Sequence, residues 1–259
     1  MKKTTLLVVL LSIVLAVATA SAQEWDKVRI GVEGAYPPFS FVTPEGELAG
    51  FDIDIAKALG EAMGAEVTLV AQDWDGIIPA LLAKKYDAII ASMSITEERK
   101  QKVAFSNKYY QTPAKFIAKK GTMDPFSPEA MKGKKVGVQR ATIHDRYLTD
   151  NYGNDVEIKR YGTQDEAYLD LTAGRVDMLL ADSVALSDGF LKKPEGAEYQ
   201  FVGPDLSDPR WFGEGAGIAI RKEDVALAEL FNQAIEKIRA DGTYKAIQDK
   251  YFDFNVYGN

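Results

Sequence analysis

The 259-residue chain contains no cysteine and a single histidine, His144. Without cysteine there are no disulfides, so stability must come from core packing. Thiol nucleophiles, thiolate zinc sites and iron–sulfur clusters are excluded for the same reason. With one histidine, a metal site built mainly from imidazole is ruled out, and a Ser-His-Asp triad would have to use His144. Positive charge is also in deficit: 31 Lys and Arg stand against 38 Asp and Glu, a formal net charge of −7. That balance argues against nucleic acid or an anionic membrane as the main partner, without forbidding a cationic ligand. The nucleophile elbow Gly-x-Ser-x-Gly, the phosphate loop and His-Glu-x-x-His are all missing, and no spacing among the carboxylates singles out a catalytic pair.

Long apolar runs are scarce as well. The one such run, Leu6 to Ala18, follows the cationic Met1-Lys2-Lys3 and precedes Ala20-Ser21-Ala22, a small-x-small cleavage pattern. These are the three parts of a secretory signal, and the run is short for a membrane span, which needs about 20 apolar residues. An uncleaved anchor and a buried N-terminal helix are the rival readings. Cleavage after Ala22 leaves 237 residues and, by removing Lys2 and Lys3, moves the net charge from −7 to −9. That length suits one large domain or two small ones.

What the sequence does have is alternation. Val28 to Val32 reads as a strand, Asp52 to Met63 as an amphipathic helix, Glu66 to Ala71 as a strand. Trp74 to Lys85 reads as a helix, Asp87 to Met93 as a strand, and a further helix starts at Thr96. The pattern then recurs: strand Lys135 to Val138, helix Thr142 to Tyr152, strand Val156 to Arg160, helix Gln164 to Ala173, strand Met178 to Asp182. The helix Val184 to Leu191 and the strands Tyr199 to Val202 and Gly217 to Ile220 follow. Helices Asp224 to Ala240 and Thr243 to Tyr251 close the chain. Such alternation indicates βαβ units and largely parallel sheets. Ala83 to Ser92 aligns with Ala173 to Asp182, and Arg29 to Val32 with Lys135 to Val138. Shared descent and shared composition both account for this; either way the fold class is α/β with two similar lobes in series. The stretches 109–118 and 204–215 are candidate crossings between them. Two crossings make a hinge, and a hinge makes a cleft that can close. The boundaries expected are 1–22 for the export signal, 23–111 and 211–259 for the first lobe, and 112–210 for the second.

Ligands of open parallel sheets sit outside the carboxyl ends of the strands. Those ends are Glu33, Ser92 and Ser94 in the first half, and Gln139 to Thr142 and Asp182 in the second. The internal repeat makes Ser92 and Asp182 equivalent. A free amino acid would suit such ends, because its carboxylate and ammonium both need partners once buried. Arg99 follows the N-cap candidate Thr96, where a cation is disfavoured by the helix dipole, which hints at an anion held there. A surface pair of Arg99 with Glu98 is the plainer alternative. Asp182 ends an apolar strand and fits an ammonium, or equally caps the next helix. Tyr36, Trp74 and Glu33 offer two aromatic faces and a carboxylate for a long cationic side chain, or else pack as lids on the core. His144 sits one turn into a helix, as a ligand contact or as a solvated residue.

At these residues the chain resembles a known family. Gly50 to Ile55, Trp74 to Leu81, Asp87 to Arg99 and Asp241 to Tyr244 are similar to the polar amino-acid-binding proteins of ABC importers, bacterial solute-binding protein family 3. The likeness is nearest to the lysine/arginine/ornithine- and histidine-binding branch and includes the ending Tyr251 to Gly258. It implies a two-lobe periplasmic-binding-protein fold with a two-segment hinge, a periplasmic monomer, an ABC permease as partner, and neither cofactor nor metal. It also implies site roles: Arg99 on the ligand carboxylate with Ser94 and backbone near Ser92 and Thr142, Asp182 with Ser92 on the ammonium. Tyr36 and Trp74 would sandwich the side chain and Glu33 approach its distal charge, with Ala91, Gln139 and His144 completing the wall.

The departures are specific. Gly60 and Val67 stand where relatives often carry a disulfide, Ala91 where they often have a serine, Glu33 for the more usual Asp, and Ala141 for the usual glycine. Arg140 could meet a second ligand carboxylate, which keeps opine-like and glutamate-like ligands open. Two further roles share the scaffold: a cyclohexadienyl dehydratase, which needs a carboxylic acid over the leaving group, and a sensory protein that presents its ligand to a receptor.

Overall fold

The computed structural model describes residues 25–258, so the N-terminal segment read as an export signal lies outside the described residues. The chain builds two five-stranded sheets of the same design. The first runs in the order Glu66–Ala71, Lys27–Val32, Ala88–Ile89, Ala216–Ile220, Ala104–Tyr110. The second runs Glu157–Tyr161, Lys135–Gln139, Met178–Asp182, Ala114–Lys119, Tyr199–Leu206. In each, three parallel strands are followed by a fourth that pairs antiparallel to both its neighbours. Arg29 to Val32 and Lys135 to Val138, aligned by sequence, occupy the equivalent second strand of their sheets.

The chain leaves the first sheet by the edge strand Ala104–Tyr110 and enters the second through residues 111–113. It returns through residues 207–215 to the strand Ala216–Ile220. The return boundary expected after residue 210 falls inside the one-turn helix Pro209–Phe212, whose Phe212 packs in the core of the second lobe. The closing helices Val225–Ala240 and Thr243–Tyr251 bury Phe231, Ile235, Ile238 and Ile247 against the first lobe, beside Ile53, Ile55 and Leu59.

The helix Phe51–Met63 forms because its apolar positions fall on one face, and it stops at Gly64, whose φ of 72° only glycine adopts cheaply. Its start is fixed just as firmly. Gly50 has φ 122°, and a Cβ there would lie 2.4 Å from the Phe39 carbonyl oxygen. The first helical N–H groups donate to Pro38 and Phe39, which docks the helix end on the loop before it and sets Asp52 inside the lobe.

Four elements differ from the sequence expectation. The helix expected over Trp74 to Lys85 is a 3₁₀ turn, Trp74–Gly76, followed by Ile77–Leu82, and it ends before the lysines, with Lys84 at φ 60°. The strand expected over Asp87 to Met93 is paired only at Ala88–Ile89, because Ser92 turns to φ 52° and directs the chain out of the sheet. The helix expected over Val184 to Leu191 is one α turn, Ser183–Leu186, and one π turn, Ser187–Leu191. Finally, the candidate first crossing is mostly strand: Ala104–Tyr110 and Ala114–Lys119 each take a place in a sheet, leaving three residues to cross.

Candidate functional site

The first lobe supplies one cation and several acceptors. Thr96 caps the short helix Glu97–Lys100, its Oγ1 accepting from the Arg99 N–H at 3.3 Å. The Arg99 side chain folds back, donating from Nη1 to the Ser94 carbonyl at 3.0 Å, with its guanidinium 5.3 Å from the Trp74 ring centroid. Glu98 does not pair with it; Glu98 bonds Arg146 of the second lobe at 2.6 Å. Among the described residues no carboxylate forms a salt bridge with Arg99. Burial pulls its pKa down to about 10, against the pull of Glu98 and with the push of Arg146. It is a partly buried cation with donors to spare.

The second lobe supplies the opposite wall. Thr142 caps the helix Ile143–Tyr152 by accepting from the Asp145 N–H at 3.1 Å, and donates to the Gln139 carbonyl at 2.8 Å. Ala141 between them is left-handed, φ 58°. His144 is 9 % exposed, not solvated, and its ring lies 6.2 Å from Phe212. Burial, then Arg99, drives its pKa down to about 3, so it is neutral at physiological pH. Asp182 ends its strand with both carboxylate oxygens engaged: Oδ1 accepts from the N–H groups of Val184 (2.8 Å) and Ala185 (3.2 Å), and Oδ2 accepts from the Thr112 hydroxyl. The helix-capping role is therefore present, and it holds the carboxylate rigidly at the cleft.

The lobes meet across these walls. Gln139 Nε2 donates to Glu33 Oε1 at 2.5 Å, Trp74 Nε1 to the Ala141 carbonyl at 3.2 Å, and the Asp182 N–H to the Tyr36 hydroxyl at 3.4 Å. Ion pairs Arg140–Asp75 and Arg146–Glu98 bridge the outer edge. Inside lie two adjoining cavities. One, of about 30 Å³, is bordered by ten of the eleven residues singled out from sequence: Glu33, Tyr36, Trp74, Ala91, Ser92, Ser94 and Arg99 on one side, Gln139, Thr142 and His144 on the other. The second, of about 400 Å³, adds Asp182 and shares Tyr36, Ser92, Ser94 and His144. Its size is in the range that small-molecule sites occupy. Ser92 and Asp182, equivalent in the repeat, border the same space.

The electrostatics are lopsided. Burial raises Glu33 to about 7, opposed by the Gln139 hydrogen bond and reinforced by Asp165, Asp52 and Asp73. Burial raises Asp182 to about 6, opposed by Thr112 and the two backbone donors. Asp52, fully buried, is raised to about 7 by burial, opposed by hydrogen bonds from Tyr109 and Ser92. Two carboxylates whose ionisation burial disfavours, Glu33 and Asp182, thus border the cavities with one partly buried cation, Arg99, and a positively charged guest would relieve them.

A family model matches residues 28–254. The chain belongs to the bacterial extracellular solute-binding proteins, family 3. It is 53% identical to the L-arginine-binding protein of Pseudomonas aeruginosa over the full length of both chains. It is 43% identical to the lysine/arginine/ornithine-binding periplasmic protein of Escherichia coli, again over the full length of both. Among solved structures, an ancestral arginine-binding protein bound to arginine superposes with a TM-score of 0.80 at 39% identity, covering 88% of this chain and 98% of the other. The two-lobed α/β architecture expected from the motifs is the architecture of the family 3 proteins it matches.

Some participants of this family 3 cleft escape a reading of the sequence. Thr112 lies in the stretch marked as a crossing, with nothing in its neighbours to pair it with Asp182, 70 positions away. Asp52 sits inside the motif Gly50 to Ile55 but reads as a first-turn helix acid. Arg140, the candidate for a second ligand carboxylate, is half-exposed, pairs with Asp75 and borders neither cavity.

Proposed function

We propose that this protein captures a free cationic amino acid, arginine foremost, between its two lobes outside the cytoplasmic membrane, and delivers it to the membrane subunits of an ABC importer. One observation carries the reading. The joined cavities bring together one cation with spare donors, Arg99, and two carboxylates, Asp182 and Glu33, whose pKa values are raised by burial. An amino acid with a cationic side chain carries the complementary set, one anion and two cations. Arg99 takes the α-carboxylate with the Ser94 region and the N-terminus of the helix capped by Thr142. Asp182 and Ser92 take the α-ammonium. The side chain runs along Tyr36 and Trp74 toward Glu33, where Gln139 now donates.

The relatives named for arginine and for lysine, arginine and ornithine support this choice of ligand class, and they are binding proteins rather than enzymes. On this reading residues 25–111 and the described chain after Phe212 form one lobe, residues 112–212 the other, and the two crossings act as the hinge. Delivery of ligand to a permease is what the family membership implies.

Calorimetric titration of ligand-free protein with arginine, lysine, ornithine and histidine tests the proposal. Arg99→Ala and Asp182→Ala should each weaken the preferred ligand by about 2–5 kcal/mol, since each leaves a buried ligand charge without its partner. Near-normal affinity in both variants rejects the assigned site.

A further inference from the structure

Asp52 borders neither cavity and is fully buried, one side chain behind the cleft wall. Its two oxygens have separate donors. The Tyr109 hydroxyl donates to Oδ1 at 2.8 Å, and the Ser92 hydroxyl donates to Oδ2 at 2.9 Å. The Ser92 N–H in turn donates to the Tyr109 oxygen at 3.1 Å, so Tyr109 has given its one proton to Asp52 and accepts from Ser92. The backbone locks this arrangement, with Ser92 held at φ 52°. A serine hydroxyl has one proton and two acceptor lone pairs. While Asp52 is ionised that proton is committed to it, and Ser92, which borders both cavities, offers the cleft an acceptor only.

The geometry points to Asp52 as a positioning residue that, through Ser92, makes one end of the cleft specific for a hydrogen-bond donor. This deepens the proposed function and rests on its placement of the ligand ammonium beside Asp182. The chemical consequence is a choice between the two ends of a zwitterion. An ammonium, which only donates, is accepted by Ser92 Oγ and Asp182 together. A carboxylate, which only accepts, finds two acceptors and is turned away. A serine without Asp52 behind it could rotate its proton toward either end and would not discriminate. The Tyr110 side chain also interacts with the Ser92 hydroxyl.

Asp52→Asn reverses the polarity. Its carbonyl oxygen is needed by the buried Tyr109 proton, so its amide donates to Ser92 Oγ and the Ser92 proton is released. Because Tyr110 could receive that proton, the comparison is made in Tyr110→Phe protein. The two probes are arginine and its deaminated analogue, δ-guanidinovalerate, titrated calorimetrically. Asp52→Asn should weaken arginine by about tenfold or more and change the analogue by less than about threefold. Adding Ser92→Ala should abolish the effect of Asp52→Asn on arginine. An equal loss for both ligands, or an undiminished loss in the Ser92→Ala background, overturns the inference and leaves the site itself standing. If Tyr110→Phe and unaltered protein both fail to prefer arginine over the analogue, the placement of the ammonium is what fails. Should Asp52→Asn not fold, Ser92→Ala alone serves: selective loss of arginine supports an acceptor at Ser92, and equal loss of both probes overturns it.

Discussion

Glu33 and Asp182 lie at opposite ends of the joined cavities, and each is a carboxylate that burial has made reluctant to ionise. A cation placed against either would restore ionisation, so binding a cationic amino acid should release protons. Affinity for arginine is therefore expected to rise from about pH 5 to about pH 7.5 and then level off. Titration in buffers of different ionisation heat would reveal the released protons; a flat affinity profile with no buffer dependence contradicts it. In ligand-free protein the sign is opposite. The folded state holds protons on Glu33 and Asp182 that the unfolded chain has lost, so their contribution to stability falls as pH rises from about 4 through 6 and 7. On the proposed reading Glu33 meets the distal charge of the ligand. Glu33→Gln should weaken arginine roughly tenfold or more while leaving neutral citrulline within about threefold, because only the charge-assisted bond is lost. Parallel losses for the two ligands would remove Glu33 from the side-chain pocket.

At the scale of elements, the site is made from places where regular structure stops. The loop from Gln139 to Thr142 turns from strand to helix through Ala141 at φ 58°, a conformation that costs a residue with a Cβ about 1–2 kcal/mol. Glycine escapes that cost at a smaller entropic penalty. Ala141→Gly should raise stability by about 0.5–1 kcal/mol, measured as a higher urea midpoint; a lower midpoint would show that the Ala141 methyl packs usefully. The same observation explains how much the sequence disclosed. Strand ends can be placed from periodicity, so Glu33, Ser92, Gln139 and Asp182 were legible as cleft positions. Apolar alternation also revealed the three parallel strands of each sheet. The early exit of the chain at Ser92 was not legible, because Asp87 to Met93 reads as apolar and extended whether or not a partner strand continues beside it. Nor were Ala104–Tyr110 and Ala114–Lys119 as sheet members, since their partners lie far away in sequence: Tyr110 pairs with Ala216, and Ala114 with Asp182. Asp52 and Thr112 were missed for the same reason, as their partners come from the fold and not from neighbouring residues.

At the scale of the whole molecule, two sheets of one design exchange the chain twice. Each takes its antiparallel fourth strand directly from a crossing, which brings the crossings side by side behind the cleft. Every side chain assigned to the ligand is on one wall or the other, and no lobe holds both ends of the zwitterion: Arg99 and Glu33 belong to the first lobe, Asp182 to the second. On the proposed reading affinity for a guest depends on closure, which the contacts the lobes already make through Gln139, Trp74 and the outer ion pairs would favour, though each is weak where exposed. The most direct test is a crystal structure of the protein grown with arginine. The α-carboxylate should lie about 3 Å from the Arg99 guanidinium, the α-ammonium equally near Asp182 and Ser92 Oγ, and the ligand guanidinium should replace Gln139 at Glu33. A ligand bound in the reverse orientation, or held by one lobe alone, would contradict the account.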